Sequence, residues 1–456
     1  MSLKEFKLAY GHGTQSVMLP EEHISDVLEG VPTPACDVKE ATIECMRHPI
    51  GAEPLRDLVK KGDKVCLVVA DITRAWNRAS EFTVHVVKEL NDAGIPDDDI
   101  YIVFAQGTHR VHTDEENVTC VGEEVASRIK MYQHVSTDKS MLTHVGTTTR
   151  GTDVWIDTRV VEADKVILIN AISTHDMAGF GGGRKLILPG VAGFETVQQN
   201  HCHALGPTVG SGLNPDAALL KIAGNPVSED MQEACDMIAP CFLVHSVINA
   251  EGEISSMVGG DPYKAWLEGT REIYRMQKVR MKAQTDVTIV SAGGYPKDTN
   301  LYQGTKCYTT AEIATKKGGI IITMIEAEDV QEPPAYLGSF KYKNLTEMEE
   351  GLRAFFTIPL FFSFFSELFL GEFPCFFHGG NRDLVGSFAE DVEVLGPGND
   401  VDGVCHGCDE VFEGDEEGDG EAGSEAFFHF CEVLVFEAAE VGRRSEEHTS
   451  ELQSPS

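Results

Sequence analysis

The sequence predicts an α/β protein built from two α/β domains with largely parallel sheets and a site in the cleft between them. Apolar, β-branched runs typical of buried strands alternate with segments of helical periodicity, first over residues 1–282 and again over residues 283–360. Most of these strands run directly into polar or glycine-rich residues. Because ligands of parallel sheets bind beyond the carboxyl ends of the strands, these residues are expected to form one site.

We expect residues 1–282 to form the domain that carries the catalytic and cofactor-binding groups, and residues 283–360 to form a second α/β domain that is truncated in this chain. A chain truncated in this way is expected to fold poorly and to be inactive. The first sixty residues contain few motifs. They predict a strand at Phe6–Tyr10 and helices near Ile24–Leu28 and Cys36–Met46, packed at the edge of the first domain.

The first informative unit is a strand, a polar loop and a helix. The continuous apolar run Lys64–Ala70 predicts a buried strand, and it is followed by Asp71, Thr73 and Arg74. Apolar residues at helical spacing then predict a helix over Ser80–Ala93.

The same pattern recurs twice. Ile100–Ala105 predicts a strand that runs into His109 and a helix over Asp114–Ile129, and Lys165–Ile172 predicts a strand that runs into His175. Each histidine alone could be an ordinary loop residue. Their shared position after strand ends favours a site, at which Asp71, Arg74 and both histidines come together.

A glycine-rich loop follows the third strand, with Gly181, Gly182 and Gly183 before Arg184 and Lys185. Glycines let backbone N–H groups approach an anion closely, and the two bases would neutralise it. The loop matches neither the P-loop nor the dinucleotide fingerprint. An alternative is a glycine-rich turn with two solvated bases.

A short helix over Phe194–His201 brings Asn200, His201 and His203 back near this loop. Residues two apart point to different sides of a helix, so only one of the two histidines is expected to face the site. The second domain repeats the order of strand, polar loop, helix and strand over Asp286–Ser291, Ala292–Lys306, Thr309–Lys317 and Gly319–Ile325. Its loop should turn Gln303 and Lys306 toward the histidines.

Composition excludes several classes of protein. The net charge of −36 argues against a nucleic-acid partner. No apolar stretch has the length of a signal peptide core or a membrane span, so no membrane association is expected. Twelve cysteines without a secretion signal indicate reduced thiols and a cytoplasmic location.

Residues 361–456 differ from the rest and are not expected to fold. They hold 14 of the 23 phenylalanines, and 23 acidic residues against three basic ones, while no periodicity persists. The stretch from Arg444 onward resembles the translation of a sequencing-library adapter. We interpret the segment as an out-of-frame, adapter-derived and disordered tail. The alternative is a natural acidic disordered segment, which has a similar composition.

Over residues 1–359 the motifs resemble the nickel-dependent lactate racemase family, known from bacteria. They are Asp71-x-Thr-Arg74, Gly107-x-His109-Arg110, His175-x-x-Ala-Gly-Phe-x-Gly-Gly-Arg-Lys185, Asn200-His201 and Gly294-Tyr295-Pro-x-Asp298-x-Asn300-x-Tyr302-Gln303-x-x-Lys306. The resemblance implies a nickel-pincer nucleotide cofactor, covalently attached to Lys185 and supplied by cofactor-biosynthesis enzymes.

The resemblance also implies a role for each residue. His201 is the protein ligand to nickel, and the glycine loop, Arg184, Asp71 and Thr73 hold the cofactor. The implied reaction is racemisation of a small 2-hydroxy acid by reversible hydride transfer, with His109 and His175 as the acid/base pair. Arg74 and Lys306 would hold the substrate carboxylate in a pocket lined by Tyr302 and Gln303.

Two rival functions remain open. A zinc-type hydrolase would use His109, His175 and His201 as metal ligands and would not need Lys185. A non-catalytic nucleotide- or phosphate-binding protein would use the glycine loop alone. One departure from the family concerns the substrate: the tryptophan that follows Thr-Ile-Pro in lactate-acting members is absent after Thr357-Ile358-Pro359.

Overall fold

A computed structural model describes residues 2–329, 342–355, 375–378, 425–427 and 433–436. The Thr357-Ile358-Pro359 segment lies outside these ranges. The strands are β1 Leu3–Tyr10, β2 Gly13–Pro20, β3 Ile24–Leu28, β4 Val65–Ala70, β5 Ile100–Ala105, β6 Lys130–Gln133, β7 Leu142–Thr147, β8 Asp153–Asp157, β9 Lys165–Ala171, β10 Thr174–His175, β11 Gly179–Phe180, β12 Phe242–Ile248, β13 Ile254–Gly260, β14 Lys278–Arg280, β15 Thr285–Ser291, β16 Thr315–Met324, β17 Cys375–His378, β18 Glu425–Phe427 and β19 Val433–Phe436.

The helices of the described ranges are α1 Val38–Arg47, α2 Leu55–Leu58, α3 Ala79–Asp92, α4 Asp114–Val121, α5 Glu123–Arg128, α6 Thr158–Val161, α7 Phe194–Cys202, α8 Pro226–Ile238, α9 Lys264–Gln277, α10 Leu301–Gly304, α11 Lys306–Ala314 and α12 Leu345–Phe355. Short 3-10 turns at Ile72–Asn77 and Gly183–Leu186 carry site residues.

The first sheet has six strands in the order β13-β12-β9-β4-β5-β6. All neighbours are parallel except β13, which is antiparallel to β12. Every residue of β4 is buried, because helices and loops cover both faces of the sheet, and this burial explains its uninterrupted apolar sequence. The predicted strands at residues 64–70, 100–105 and 165–172 are confirmed, and so is a largely parallel sheet in the first domain.

The second sheet has the order β17-β16-β15-β19-β3 and is mixed. β15, β16 and β17 are parallel, whereas β19 is antiparallel to both β15 and β3. β17, β18 and β19 come from the segment that was not expected to contain any element, and short apolar runs such as Val433–Phe436 account for their pairing with a sheet. The rest of residues 361–456 lies outside the described ranges.

The predicted helix at Ile24–Leu28 is wrong, because this segment is strand β3 of the second sheet. Five residues are too few to stabilise an isolated helix, whereas a strand lets Leu28 become fully buried against the core of the second domain. β1 packs there too, since Leu8 contacts the cluster of Ile289 and Met324. The first residues of the chain therefore contact the second sheet rather than the edge of the first. The division near residue 282 stays a prediction.

Helix boundaries differ in two places. The helix predicted over residues 114–129 is divided at Gly122, whose φ of 85° is not helical, into α4 and α5. In the second domain α11 begins at Lys306, three residues before the predicted start, so that Lys306 lies in its first turn. It also ends at Ala314, before the predicted Lys317, because residues 315–317 belong to β16. Eight cysteines between residues 36 and 307 are free thiols. In the parts of the chain that the structure describes, no helix has the length and apolarity needed to cross a bilayer.

Candidate active site between the two sheets

The carboxyl ends of three parallel strands bring the predicted residues together. Asp71 follows β4, and His109 lies on the loop after the neighbouring strand β5. The Nδ1 of His109 donates to Asp71 Oδ2 over 2.6 Å. Because Nδ1 carries that proton, Nε2 of the neutral ring is an acceptor that faces away from the carboxylate.

A chain of hydrogen bonds joins Asp71 to Arg74. Thr73 Oγ1 donates to Asp71 Oδ1 over 2.8 Å, and Arg74 Nη1 donates to Thr73 Oγ1 over 2.9 Å. Burial by itself would raise the pKa of Asp71, but the adjacent His109 and then Arg74 outweigh it, and the pKa is lowered. Asp71 is therefore a carboxylate that orients both His109 and the loop of Arg74.

The third strand end holds a second cluster. His175 is the last residue of β10, and its Nε2 lies 3.1 Å from Lys185 Nζ. Its Nδ1 lies 2.9 Å from Asp176 Oδ1, at ion-pair distance but without the alignment of a hydrogen bond, and also accepts from the Ala178 N–H over 3.3 Å. His175 is thus held less rigidly than His109.

Burial and like charges shift the titration of this cluster. Burial lowers the pKa of His175 to about 4, and the positive charges of Lys185 and Lys306 act in the same direction. Burial also lowers the pKa of Lys185 to about 7; Asp176 opposes this shift, while Arg74 and Lys306 add to it. A lysine with this pKa is largely a neutral, nucleophilic amine at slightly alkaline pH.

The second domain contributes α10 and the start of α11. Lys306 Nζ donates to Gln303 Oε1 over 2.9 Å and lies 5.1 Å from the centre of the Tyr302 ring. Burial and then Arg74 lower the pKa of Lys306 to about 8, and burial raises the pKa of Tyr302. The side chains therefore lie close enough for Arg74 of the first domain to act on Lys306 of the second.

The N-terminal strands position this part of the second domain. Asp298, buried in the loop that leads to α10, accepts a hydrogen bond over 2.7 Å from the backbone of Gly11, in the turn between β1 and β2. The Tyr295 N–H donates back to the Gly11 carbonyl over 2.8 Å. This contact explains why the first residues of the chain pack on the second sheet.

The charges of the site leave room for one anion. Arg74, Lys185 and Lys306 are three cationic side chains that influence one another, and Asp71 and Asp176 are the two carboxylates among them. A single bound carboxylate would balance the cluster. It would also relieve the mutual repulsion that lowers the pKa values of the two lysines.

The glycine loop is built for packing as well as for a ligand. The N–H of Gly181 donates to Ser173 O over 2.6 Å, and the N–H of Gly183 donates to His245 Nε2 over 2.8 Å. Trp266 Nε1 donates to the Gly181 carbonyl over 2.9 Å. These two N–H groups are occupied inside the protein, so the expectation that they approach an anion freely is not met in this structure.

Arg184 lies beneath the loop rather than beside Lys185. It is 2% exposed, stacks 3.9 Å from the centre of the Trp266 ring and donates to the carbonyl and hydroxyl of Ser228 and to the carbonyl of Ala178. Burial lowers its pKa to about 10. Nη1 is the one buried guanidinium nitrogen for which the described residues provide no acceptor.

We expect Gly183→Ala to destabilise the protein by about 3 kcal/mol, because it combines left-handed backbone strain with overpacking. The φ of Gly183 is 53°, and an added Cβ would lie 2.7 Å from the Trp266 ring. Gly62→Ala is the matched control, since Gly62 also has a positive φ but faces open space. Urea unfolding of both variants measures the difference; equal losses would show that the packing beneath the loop contributes nothing.

Of the two histidines near the end of α7, only His201 faces the site. Its Nδ1 donates to the Val197 carbonyl over 2.9 Å, which leaves Nε2 unprotonated in the neutral ring. Burial and then Lys185 and His175 lower the pKa of His201 to about 3. His203 instead contacts Thr152 and, at 3.7 Å, Asp230.

We expect Lys185 to react as an amine at lower pH than ordinary lysines. Acylation of Lys185 by a small amine-reactive reagent should be half-maximal near pH 7. The corresponding pH for an exposed lysine is about 10.4. The sign follows from burial, which disfavours the charged form and enlarges the neutral fraction as pH rises through 7. Peptide-resolved mass spectrometry of the cofactor-free chain over pH 5–11 measures this, and a midpoint near 10 would contradict it.

Sequence reasoning missed three residues of this region. Asp176 directly follows His175 and could have been identified from that position. His245 lies in the middle of a strand whose other residues are mostly apolar, and this interruption was the available signal. Gln198, on α7, gave no signal, because only the structure shows its burial.

The structure does not support a three-histidine zinc site. Within the described ranges, no group of three or more His, Cys, Asp or Glu side chains is placed to hold a metal ion. His109, His175 and His201 therefore do not form a ligand set by themselves. A metal that carries its own donors would need only one protein ligand.

Comparison with known proteins gives a consistent result. The lactate racemase N-terminal domain family matches residues 10–212, and the lactate racemase C-terminal domain family matches residues 280–355. The lactate racemase of Lactiplantibacillus plantarum is 31% identical over 312 residues, covering 68% of this chain and 70% of that protein. The lactate racemase of Thermoanaerobacterium thermosaccharolyticum is 29% identical over 330 residues, covering 72% and 75%.

Two solved structures are similar. The lactate racemase apoprotein from Thermoanaerobacterium thermosaccharolyticum aligns with a TM-score of 0.72 and 25% identity over 83% of this chain and 89% of that chain. A protein from Thermotoga maritima aligns with a TM-score of 0.60 and 18% identity over 80% and 92%, and this likeness concerns the fold alone.

Proposed function

The chain belongs to the lactate racemase family of isomerases, and from this we propose that it is a nickel-pincer-dependent racemase or epimerase of lactate or a related 2-hydroxycarboxylate. The observation that carries the proposal is the cluster in which Arg74, Lys185 and Lys306 surround two histidines that lie at strand ends. Once Lys185 carries the cofactor, Arg74 and Lys306 are the two cations of the cluster that remain for a small monoanion.

Arg74 and Lys306 hold the substrate carboxylate. Arg74 follows β4 and Lys306 begins α11, and the charge of Arg74 lowers the pKa of Lys306, so a carboxylate placed between them is stabilised by both. Tyr302 and Gln303 line this pocket, with Gln303 already bonded to Lys306. The carboxylate end of the substrate is thereby fixed, and the 2-hydroxyl is left to face the histidines.

His109 and His175 move the hydroxyl proton of the two enantiomers. Racemisation needs a base on each side of the substrate carbon, and a neutral imidazole serves as base and its protonated form as acid. His109 Nε2 is the acceptor because Asp71 fixes the proton on Nδ1. In this structure Nδ1 of His175 accepts the Ala178 N–H, so Nε2 carries the proton of the neutral ring. Nε2 can serve as the base once that proton lies on Nδ1, which is 2.9 Å from Asp176 Oδ1, and once Lys185, 3.1 Å away, is no longer a free amine.

The residues present fit the nickel-pincer nucleotide. When bound, this cofactor supplies a reversible acceptor for the hydride on the substrate carbon. Lys185 is the amine that tethers it, Arg184 has one buried nitrogen left for an anionic oxygen, and His201 offers an unprotonated Nε2 to nickel. The cofactor would supply soft sulfur donors beside the His201 nitrogen, a donor set that suits nickel.

We assign Asp71, Thr73 and the three glycines at 181–183 to the same proposed cofactor-binding site. The cofactor has to be made by separate biosynthesis enzymes, which are the partners that the proposal requires. Free thiols in the described ranges support a cytoplasmic location, where thiols stay reduced.

The two rival functions lead to different results. A phosphate-binding protein without catalysis would tolerate loss of both histidines, and a zinc hydrolase would not depend on Lys185. The test is conversion of enantiopure lactate by the full chain, followed by chiral chromatography, with and without co-expressed cofactor-biosynthesis enzymes. The truncation of the second domain predicted an inactive chain, but β17 and β19 add two strands to the second sheet. We therefore expect racemisation in the first case and none in the second. Equal rates in both would contradict the proposal.

A further inference from the structure

Gln198 is a buried amide that the protein itself leaves unsatisfied. It is 1% exposed, and neither Oε1 nor Nε2 has a hydrogen-bond partner among the described residues. A buried amide without partners destabilises a fold, because its bonds to water are lost and not replaced. Such a group is expected where a ligand supplies the missing bonds.

The other polar side chains of α7 near Gln198 do have partners. Thr196 Oγ1 donates to Asp153 O, Gln199 Oε1 accepts from Asp153 N–H, and Asn200 donates to Asp230. These bonds fix the helix to its surroundings on the sides away from His201. Asn200 Oδ1 also lacks a partner among the described residues, but its amide nitrogen is bonded, whereas both amide atoms of Gln198 are unsatisfied.

Gln198 lies on the side of α7 that carries His201. Residues three apart on a helix are neighbours on its surface, so Gln198 lies one turn before His201 on the same face. Helical side chains lean toward the N-terminus, so the His201 ring extends back toward the turn that contains Gln198. Nδ1 of His201 donates to the Val197 carbonyl, so Nε2 is the ring nitrogen that is left for a ligand on this face.

We propose that the side-chain amide of Gln198 hydrogen-bonds the group that is tethered at Lys185 and held by His201. The proposal rests on the proposed function and adds a residue to it. The amide offers two N–H donors and one carbonyl acceptor, which suits an anionic or carbonyl-like edge of a planar ligand. Gln198 is a cofactor-binding residue in this assignment, and it also explains why an apolar residue of similar size does not occupy the position.

The test compares Gln198→Met with Gln277→Met in the full chain. Gln277, at the end of α9, is the matched control, because it is also buried and both its amide atoms lack a partner. In cofactor-free protein both variants should melt about 2 °C above the parent, since each replaces an unsatisfied amide by an apolar chain of similar volume. After co-expression with cofactor-biosynthesis enzymes, the fraction of chains with a Lys185 adduct should fall about tenfold in Gln198→Met only.

Intact mass and nickel content measure this loading without reference to turnover. A Gln198→Met protein that loads like the parent overturns the assignment, even if its KM for lactate is raised, and so does a lower melting temperature of the cofactor-free variant. If Gln198→Met does not fold, Gln198→Glu keeps the shape, removes the donors and should load equally poorly; normal loading of that variant also overturns the assignment. A parent chain that never acquires an adduct would instead contradict the proposed function.

Discussion

Lys185→Ala is expected to abolish the covalent cofactor and with it racemisation, by about 10⁴-fold or more, because no protein side chain can replace a hydride acceptor. Nickel should be lost as well, since His201 alone is a weak anchor. The cofactor-free variant should be at least as stable as the parent, because the substitution removes a buried amine that is surrounded by other cations. Intact mass, nickel analysis and chiral chromatography measure the three effects.

Lys185→Arg is the control for charge. Arginine keeps a cation at this position but cannot form the amide-type bond, so we expect the same loss of loading and activity. If Lys185→Arg were active, the lysine would act only through its charge. The glycine loop would then bind an anion without a covalent bond, which its glycines and two basic residues alone would also permit.

His109→Ala and His175→Ala are each expected to lower the rate of racemisation by about 10²- to 10⁴-fold, the usual contribution of a general acid/base, while the Lys185 adduct is retained. The two half-reactions should be affected unequally. Each variant should still oxidise one enantiomer to the keto acid in a single turnover, and the two variants should differ in which enantiomer that is. Rapid-quench detection of the keto acid tests this asymmetry.

His203→Gln is the matched control for these variants. His203 is a partly buried histidine two residues from His201, but it contacts Thr152 and Asp230 on the other side of α7. Its replacement should change the rate no more than a few-fold. Wild-type rates in His109→Ala or His175→Ala would exclude the acid/base roles of these residues.

Much of the site could be predicted from the sequence, because it is built on strand ends. The apolar runs before Asp71, His109 and His175 are long and unambiguous, and a parallel sheet brings the ends of such strands to one edge. His201 and His203 are two residues apart at the end of a predicted helix, so the sequence also indicated that only one of them faces the site. These inferences depend on local sequence and on a topology that has few alternatives.

The parts that could not be predicted depend on contacts between distant segments. The apolar residues of Ile24–Leu28 follow neither a helical nor a strand period clearly. This segment is a strand because it pairs with a segment about 400 residues away. The glycines at 182 and 183 were interpreted as ligand-binding, whereas His245 and Trp266, which pack beneath them, lie 60 to 80 residues further along the chain. Burial of Gln198 is a tertiary property of the same kind.

The most direct test of the account is the chemical state of Lys185 in the full chain after co-expression with cofactor-biosynthesis enzymes. Peptide mass spectrometry combined with metal analysis should show an adduct on Lys185, on no other lysine, together with one nickel per modified chain. An unmodified Lys185 without nickel, or nickel bound to chains whose Lys185 is free, would contradict the account.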